Sequence, residues 1–138
     1  MTSYKTFILV LFISLSFCSL SSAELLSSAA LSTAETFVTT IDNGDYTTAY
    51  AQASSSLKIQ TEPQQWIKEQ KVVIQLLGHV NHRKLMSIRA RDSYPGLPDG
   101  NYLLVCYQAQ TEHKDKAVEV LLLQEQGGQW QVCRYTIK

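Results

Sequence analysis

NYLLVCYQAQTEHKDKAVEVLLLQEQGGQWQVCRYTIK, residues 101–138, is the stretch whose reading decides the fold. It is rich in Val, Leu and Tyr, alternates apolar with polar positions, and breaks at His113-Lys114-Asp115 and Gly127-Gly128. Alternation of period two between turn signals predicts strands at Asn101–Thr111, Lys116–Glu125 and Gln129–Ile137. A Gly-Gly pair between two such runs marks a hairpin. Upstream lies the turn-rich loop Tyr94-Pro95-Gly96-Leu97-Pro98-Asp99-Gly100, and before it Lys84–Arg91 predicts another strand, with Met86, Ile88 and Ala90 on one face.

The register follows from the turns. A two-residue turn at Gly127-Gly128 sets Cys133 opposite Leu122, Tyr135 opposite Val120 and Ile137 opposite Val118. A four-residue connection at 112–115 sets Val105 opposite Leu122, Tyr107 opposite Val120 and Ala109 opposite Val118. One face then collects Leu103, Val105, Tyr107, Ala109, Val118, Val120, Leu122, Cys133, Tyr135 and Ile137, and is the expected core face. The other face carries Leu104, Leu121, Leu123, Trp130 and Val132 among polar residues. An apolar patch of that size is either a homodimer interface or exposed surface that a monomer tolerates. Cys106 and Cys133 fall on non-adjacent strands, ~9.6 Å apart by strand spacing and on opposite faces. A disulfide needs Cα atoms within about 7 Å, so two free thiols are expected.

Working towards the amino terminus, the period changes. Ala30, Ala34, Phe37, Val38 and Ile41 recur at helical spacing, and Asn43-Gly44 ends that helix. Asp45 caps a short second helix with Tyr46, Ala49, Tyr50 and Ala53 on its face, which Ser54–Ser56 closes. Thr61 and Pro63 open a third, carrying Trp66, Ile67, Gln70, Val73, Ile74 and Leu77 and stopping at Gly78. Three helices followed by four antiparallel strands predict an α+β domain, the helices packed on one face of a curved sheet.

The first 23 residues read as a leader. Lys5 precedes a mostly apolar run, Phe7–Leu20, and Ser21-Ser22-Ala23 offers small residues for cleavage before Glu24. As a helix that run spans ~21 Å, against ~30 Å of hydrocarbon, which favours a secretory signal peptide over an anchor. Lipidation at Cys18 is the lesser alternative, since Phe17 is bulky where such sites want a small residue. The expected organisation is a signal peptide, 1–23, and a single domain, 24–138, exported to a compartment that permits disulfides and without a membrane span after cleavage. The 138 residues hold 12 Lys plus Arg and 12 Asp plus Glu; with Lys5 in the leader, the remainder carries one acid more than base. That balance speaks against nucleic acid and polybasic membrane binding. With 45% hydrophobic and 17% charged residues, the chain has the composition of a globular domain.

Asn43-Gly44-Asp45-Tyr46-Thr47-Thr48-Ala49-Tyr50 and a Trp-led helix ending in Leu77-Gly78 resemble the entry of nuclear-transport-factor-2-like (cystatin-like) domains. Leu97-Pro98-Asp99-Gly100-Asn101-Tyr102, Ala117-Val118-Glu119 and Gly128-Gln129-Trp130-Gln131-Val132 are similar to a family of small secreted bacterial proteins, domain of unknown function 4019. The resemblance implies a cone-shaped fold and an address in the bacterial envelope, the periplasm. It brings no catalytic or binding residues with it, and the fold alone does not name an activity.

Candidate chemistry is sparse. His79 and His82 lack a nearby third ligand, and His113 sits in a hairpin tip, so no metal is expected. The motifs of serine hydrolases, phosphate loops and dinucleotide folds are absent, and no cofactor is expected. An enzyme on this fold would pair a pocket carboxylate with a tyrosine. Tyr50, Trp66, Tyr107 and Tyr135 are the residues expected to line a pocket, but no Asp or Glu registers onto the core face, and Asp42 reads as an element-end residue. Arg89 and Arg91 share a strand face and are the candidates for anion binding; the alternative is the solvated face of a charged edge strand. These features together predict a non-catalytic exported domain that binds a small apolar ligand or an envelope protein. The alternatives are a small isomerase- or lyase-like enzyme and a structural dimer module.

Overall fold

The structure, a computed structural model, describes residues 21–138, so the expected leader lies outside the described residues except for Ser21-Ser22-Ala23. Four helices precede four strands: α1 (Ser22–Asp42), α2 (Tyr46–Gln52), α3 (Ser55–Gln60), α4 (Pro63–Leu77), then β1 (Val80–Arg91), β2 (Tyr102–Thr111), β3 (Ala117–Gln126) and β4 (Gln129–Ile137). The strands form one antiparallel sheet in sequence order. Among the described residues, no helix is long and apolar enough to cross a membrane.

The helix α1 buries Ala30, Ala34, Phe37, Val38 and Ile41, the set its spacing predicts. Its amino-terminal turns run further back than the apolar pattern, starting beyond Ser21, and the expected cleavage point after Ala23 falls in the first of them. Asp45 caps α2 by accepting the Thr48 N–H, and the Thr48 side chain and then its backbone hold the Asp45 carboxyl below the usual range. The helix count is four rather than three. Ser54 does not close α2 but caps a further short helix, α3, by accepting the Leu57 N–H. A serine beyond the end of one helix is also a preferred opener of the next, because its hydroxyl accepts a first-turn N–H. Ser54 also donates its N–H to the Val132 carbonyl, tying α3 to β4. At the end of α4, Gly78 has φ 75°, and a Cβ there would lie 2.6 Å from the Glu112 Cβ, so the site demands glycine twice over.

The register of the sheet differs from the expected one in two places. Between β2 and β3, Ala109 faces Ala117, Tyr107 faces Glu119, Val105 faces Leu121 and Leu103 faces Leu123. The connection is one residue tighter than assumed, because the Thr111 N–H donates to the Lys114 carbonyl while the Thr111 hydroxyl accepts the Lys114 N–H. A slip of one residue exchanges the two faces of a strand. Leu121 and Leu123 therefore point under the helices, fully buried, whereas Val118 is half exposed. Between β3 and β4, the Gly127-Gly128 turn gives the expected pairs at first, with Leu123 opposite Val132. Both glycines have positive φ, as a tight two-residue hairpin requires. A bulge then takes up Cys133, so that Leu122 faces Arg134 and Leu121 faces Tyr135. The bulge lets Val132 and Tyr135, three apart in sequence, both point inward and sends Cys133 outward.

The main core is accordingly Leu103, Val105, Tyr107, Leu121, Leu123, Val132 and Tyr135 beneath Phe37, Val38, Ile41, Ala49, Leu57 and Trp66. A second, smaller core lies on the outer face, where Tyr94 and Leu97 of the 92–100 loop fold over Tyr102, Leu104, Leu122 and Cys133. The homodimer candidates Leu121, Leu123 and Val132 are thus interior residues. Trp130 is half-buried against the main core and Leu104 against the smaller one. Of the five interface candidates, only Leu104 and Trp130 keep part of their surface exposed.

Candidate functional site

The register slip places a carboxylate inside the domain. Glu119 is fully buried on the inner face, correcting the expectation that no acid registers there. Its Oε1 accepts the Tyr135 hydroxyl at 2.9 Å and an Arg83 Nη2–H at 3.1 Å; its Oε2 accepts the Arg83 Nε–H at 2.5 Å. The other side of the guanidinium donates to both oxygens of Asp42, at 2.5 and 2.8 Å. Asp42, at the last residue of α1, is therefore more than an element end. Arg83 bridges α1 to β3 through two carboxylates. Burial alone would lower its pKa, but the hydrogen bonds it donates to Asp42 and Glu119 outweigh that and hold the guanidinium firmly charged. β1 begins at Val80 rather than Lys84, which is what brings Arg83 onto the inner face opposite Ala109.

The four aromatic pocket candidates are brought together in the main core, and two of them, Trp66 and Tyr135, also wall a cleft of ≈ 190 Å³ with Leu57, Gln70 and Arg134. Phe37 contacts Trp66 and Tyr135 edge-on, with ring centroids 6.2 and 5.5 Å apart, and Tyr50 tilts against Trp66 at 5.8 Å. The Tyr50 hydroxyl donates to the Thr61 carbonyl. Burial, and then the Glu119 carboxylate, push the Tyr135 phenol far above its ordinary value. Tyr107, across the ladder from Glu119, has a buried hydroxyl with no hydrogen-bond partner. Its phenol is raised by burial first and by Glu35 and Glu119 next. A smaller space, bounded by Asp42, Tyr46, Val73, Leu77 and Tyr135, amounts to ≈ 20 Å³, enough for about one water.

Larger clefts open at the sheet's ends. Beneath the first turns of α1, Leu26, Ala90, Leu103 and Trp130 wall a cleft of ≈ 210 Å³ with Arg91, Asn101 and Glu125 among its polar residues. Asn101 donates to Glu125 there, at 2.8 Å. On the outer face, a cleft of ≈ 530 Å³ lies among Arg91, Asp92, Ser93, Tyr94, Pro95 and Arg134. Arg89 and Arg91 stand exposed on the outer face, opposite Leu104 and Tyr102. Arg134, which sequence reasoning did not single out, joins Arg91 only because the loop crosses the sheet.

Cys106 and Cys133 are unbridged; with the corrected register both lie on the outer side, on strands separated by β3. Burial pushes the Cys133 thiol up to about 11, and it donates to the Leu122 carbonyl. Among the described residues, no group of three or more His, Cys, Asp or Glu is placed to hold a metal ion. His113 is instead fixed against the end of α4 through its N–H to the Leu77 carbonyl.

A family model described as a protein of unknown function (DUF4019) matches residues 33–135, from within α1 to near the end of β4. No curated protein matches the sequence.

Proposed function

The chain belongs to that family of proteins of unknown function, and on this premise we propose that it is a non-catalytic binding domain exported to the bacterial envelope. We take its fold as the cone-shaped, nuclear-transport-factor-2-like one, and its ligand as a small, largely apolar molecule held beneath the first turns of α1. The observation that carries this reading is the ≈ 210 Å³ cleft walled by Leu26, Ala90, Leu103 and Trp130, an apolar concavity with few polar groups at its edge. The interior supports the absence of chemistry. A general base needs a lone pair within reach of substrate, whereas Glu119 is fully buried and engaged by three donors.

The test is native mass spectrometry of the full chain exported and purified from a bacterium, paired with titration of 8-anilinonaphthalene-1-sulfonate followed through Trp130 emission. A retained small molecule, or a saturable probe response lost in Leu26→Asp and in Trp130→Phe, is the expected result. A bare polypeptide with no response from Trp130 overturns the reading, and a co-purifying protein in place of a small molecule moves it to an envelope partner.

One observation favours a second reading, an isomerase- or lyase-like enzyme: the Tyr107 hydroxyl is buried, unpartnered and across the ladder from Glu119. Such an enzyme would exchange carbon-bound protons of small ketones with solvent deuterium, and Glu119→Gln would abolish the exchange. No exchange above buffer rates by the unmodified protein removes this reading.

A further inference from the structure

We propose that the cleft under the 92–100 loop is an oxyanion site for a phosphate group, held between Arg91 and Arg134. The near-neutral total charge of the chain conceals a one-signed surface. By ladder register, the outward positions of the strands carry His82, Lys84, Arg89, Arg91 and Arg134 and no carboxylate; the inward-facing Glu119 and Glu125 account for the acids of the strands. Arg89 and Arg91 have no hydrogen bond or ion pair among the described residues, and both of the ion pairs found there belong to Arg83.

Arg134 is fixed in place. Its guanidinium lies over the Tyr94 ring at 5.1 Å and donates one N–H to the Pro95 carbonyl at 3.4 Å. The loop backbone passes so close that a Cβ on Gly96 would stand 3.6 Å from Arg134 Nη2. A planar fork held on one side by a ring and a carbonyl keeps its remaining N–H donors aligned, which lowers the entropy lost on binding. Arg91 enters the same cleft from the opposite edge of the sheet. The Ser93 hydroxyl sits in the wall, donating to Asp92 Oδ1 at 3.3 Å, so the one acid of the cleft already has a donor.

Two guanidiniums brought into one cleft repel each other unless an anion lies between them. A carboxylate is satisfied by one guanidinium; a tetrahedral phosphate has oxygens for both. The cleft holds ≈ 530 Å³, far more than a phosphate fills, leaving room for the organic part that bears it. The site is separate from the α1 cleft except that Arg91 borders both, and its argument does not depend on the apolar ligand.

The test is calorimetric titration of the full chain with inorganic phosphate at low ionic strength, beside flotation with phosphatidylglycerol vesicles and with neutral phosphatidylcholine vesicles. One-to-one phosphate binding is expected, weakened by about tenfold or more in Arg134→Gln and in Arg91→Gln. Lys116→Gln removes the same charge outside the cleft and should leave it unchanged. The Arg91 side chain makes no hydrogen bond or ion pair among the described residues, so its variant keeps the fold even if Arg134→Gln loosens the loop. Flotation with phosphatidylglycerol that Arg91→Gln abolishes, without uptake of free phosphate, supports the same site and assigns the phosphate to a lipid headgroup. No saturable binding in either arm, or equal loss in Lys116→Gln, overturns the proposal. Loss in Leu26→Asp of the apolar probe alone, with phosphate binding intact, separates a failure of one site from a failure of the other.

Discussion

The two faces of this sheet exclude water by different means. The inner face lies under the helices and carries a charged triad, of which Glu119 is buried while Arg83 and Asp42 stay partly exposed. The outer face is covered at one end only, by a loop that lays Tyr94 and Leu97 over Tyr102, Leu122 and Cys133. On the inner side, charge is tolerated because each carboxylate oxygen of Glu119 and Asp42 meets a guanidinium donor. On the outer side, cations stand unpaired in solvent. The difference teaches that in this fold buried charge fastens elements together, whereas exposed charge is left available.

Breaking the inner side should have the largest effect. Arg83→Met strands Glu119 as a buried, unpaired carboxylate and should cost about 3–5 kcal/mol in urea unfolding. The double variant Arg83→Met with Glu119→Gln should recover much of that loss. If the single and double variants unfold alike, the triad is not what joins α1 to β3. Next, Leu121→Ala should cost about 2–5 kcal/mol, as a large cavity in a closed core does. Leu104→Ala, on the half-covered outer face, should cost about 1–2 kcal/mol. The register expected from the sequence places both leucines on the outer face and predicts similar, small losses, so a clear gap between the two values discriminates the registers directly.

The pH dependence sharpens the comparison further. The Cys133 thiol, with an ordinary value of 9.0, is raised by burial to about 11, and the Tyr135 and Tyr107 phenols are raised as well. For each, the unfolded chain ionises before the folded one, so the contribution to stability is intact below the unfolded value and disappears as pH rises. The melting temperature should hold up to about pH 9 and fall from pH 9 to 11, by less in Cys133→Ser. A flat profile across that window would contradict the burial of these groups. The smallest effect concerns the loop. Tyr94→Ala removes the ring beneath Arg134 and should cost about 0.5–1 kcal/mol. It should also speed iodoacetamide alkylation of Cys133 relative to Cys106, which is half-buried already.

The alternation and turn chemistry of the sequence carried the order of elements, the α1 core set, the caps at Asp45 and Gly78 and the hairpin at Gly127-Gly128. The candidate site was not legible to the same degree, for a local reason. In Val120-Leu121-Leu122-Leu123 both phases of a strand are apolar, so periodicity does not say which face is inside. The expected register put Glu119 in solvent, where an unpaired carboxylate belongs. The structure puts it inside because Arg83, thirty-six positions away in sequence, arrives to pair with it. A long-range partner of that kind leaves no mark in a window of ten residues. The bulge at Cys133 was equally silent, since no glycine announces it. Arg134 acquired its neighbour Arg91 through the crossing of a loop, which spacing along the chain does not encode.

The bridge made by Arg83 has a kinetic side. It joins positions 42, 83 and 119, so both of its links close long stretches of chain. Long closures are unfavourable until much of the chain is already ordered. The bridge should therefore be absent from the folding transition state, with φ values near zero for Asp42 and Glu119. Interactions formed after the barrier slow escape from the native state without speeding arrival. Its main effect would be on lifetime: a folded domain that opens rarely, and so gives proteases few chances to cut it.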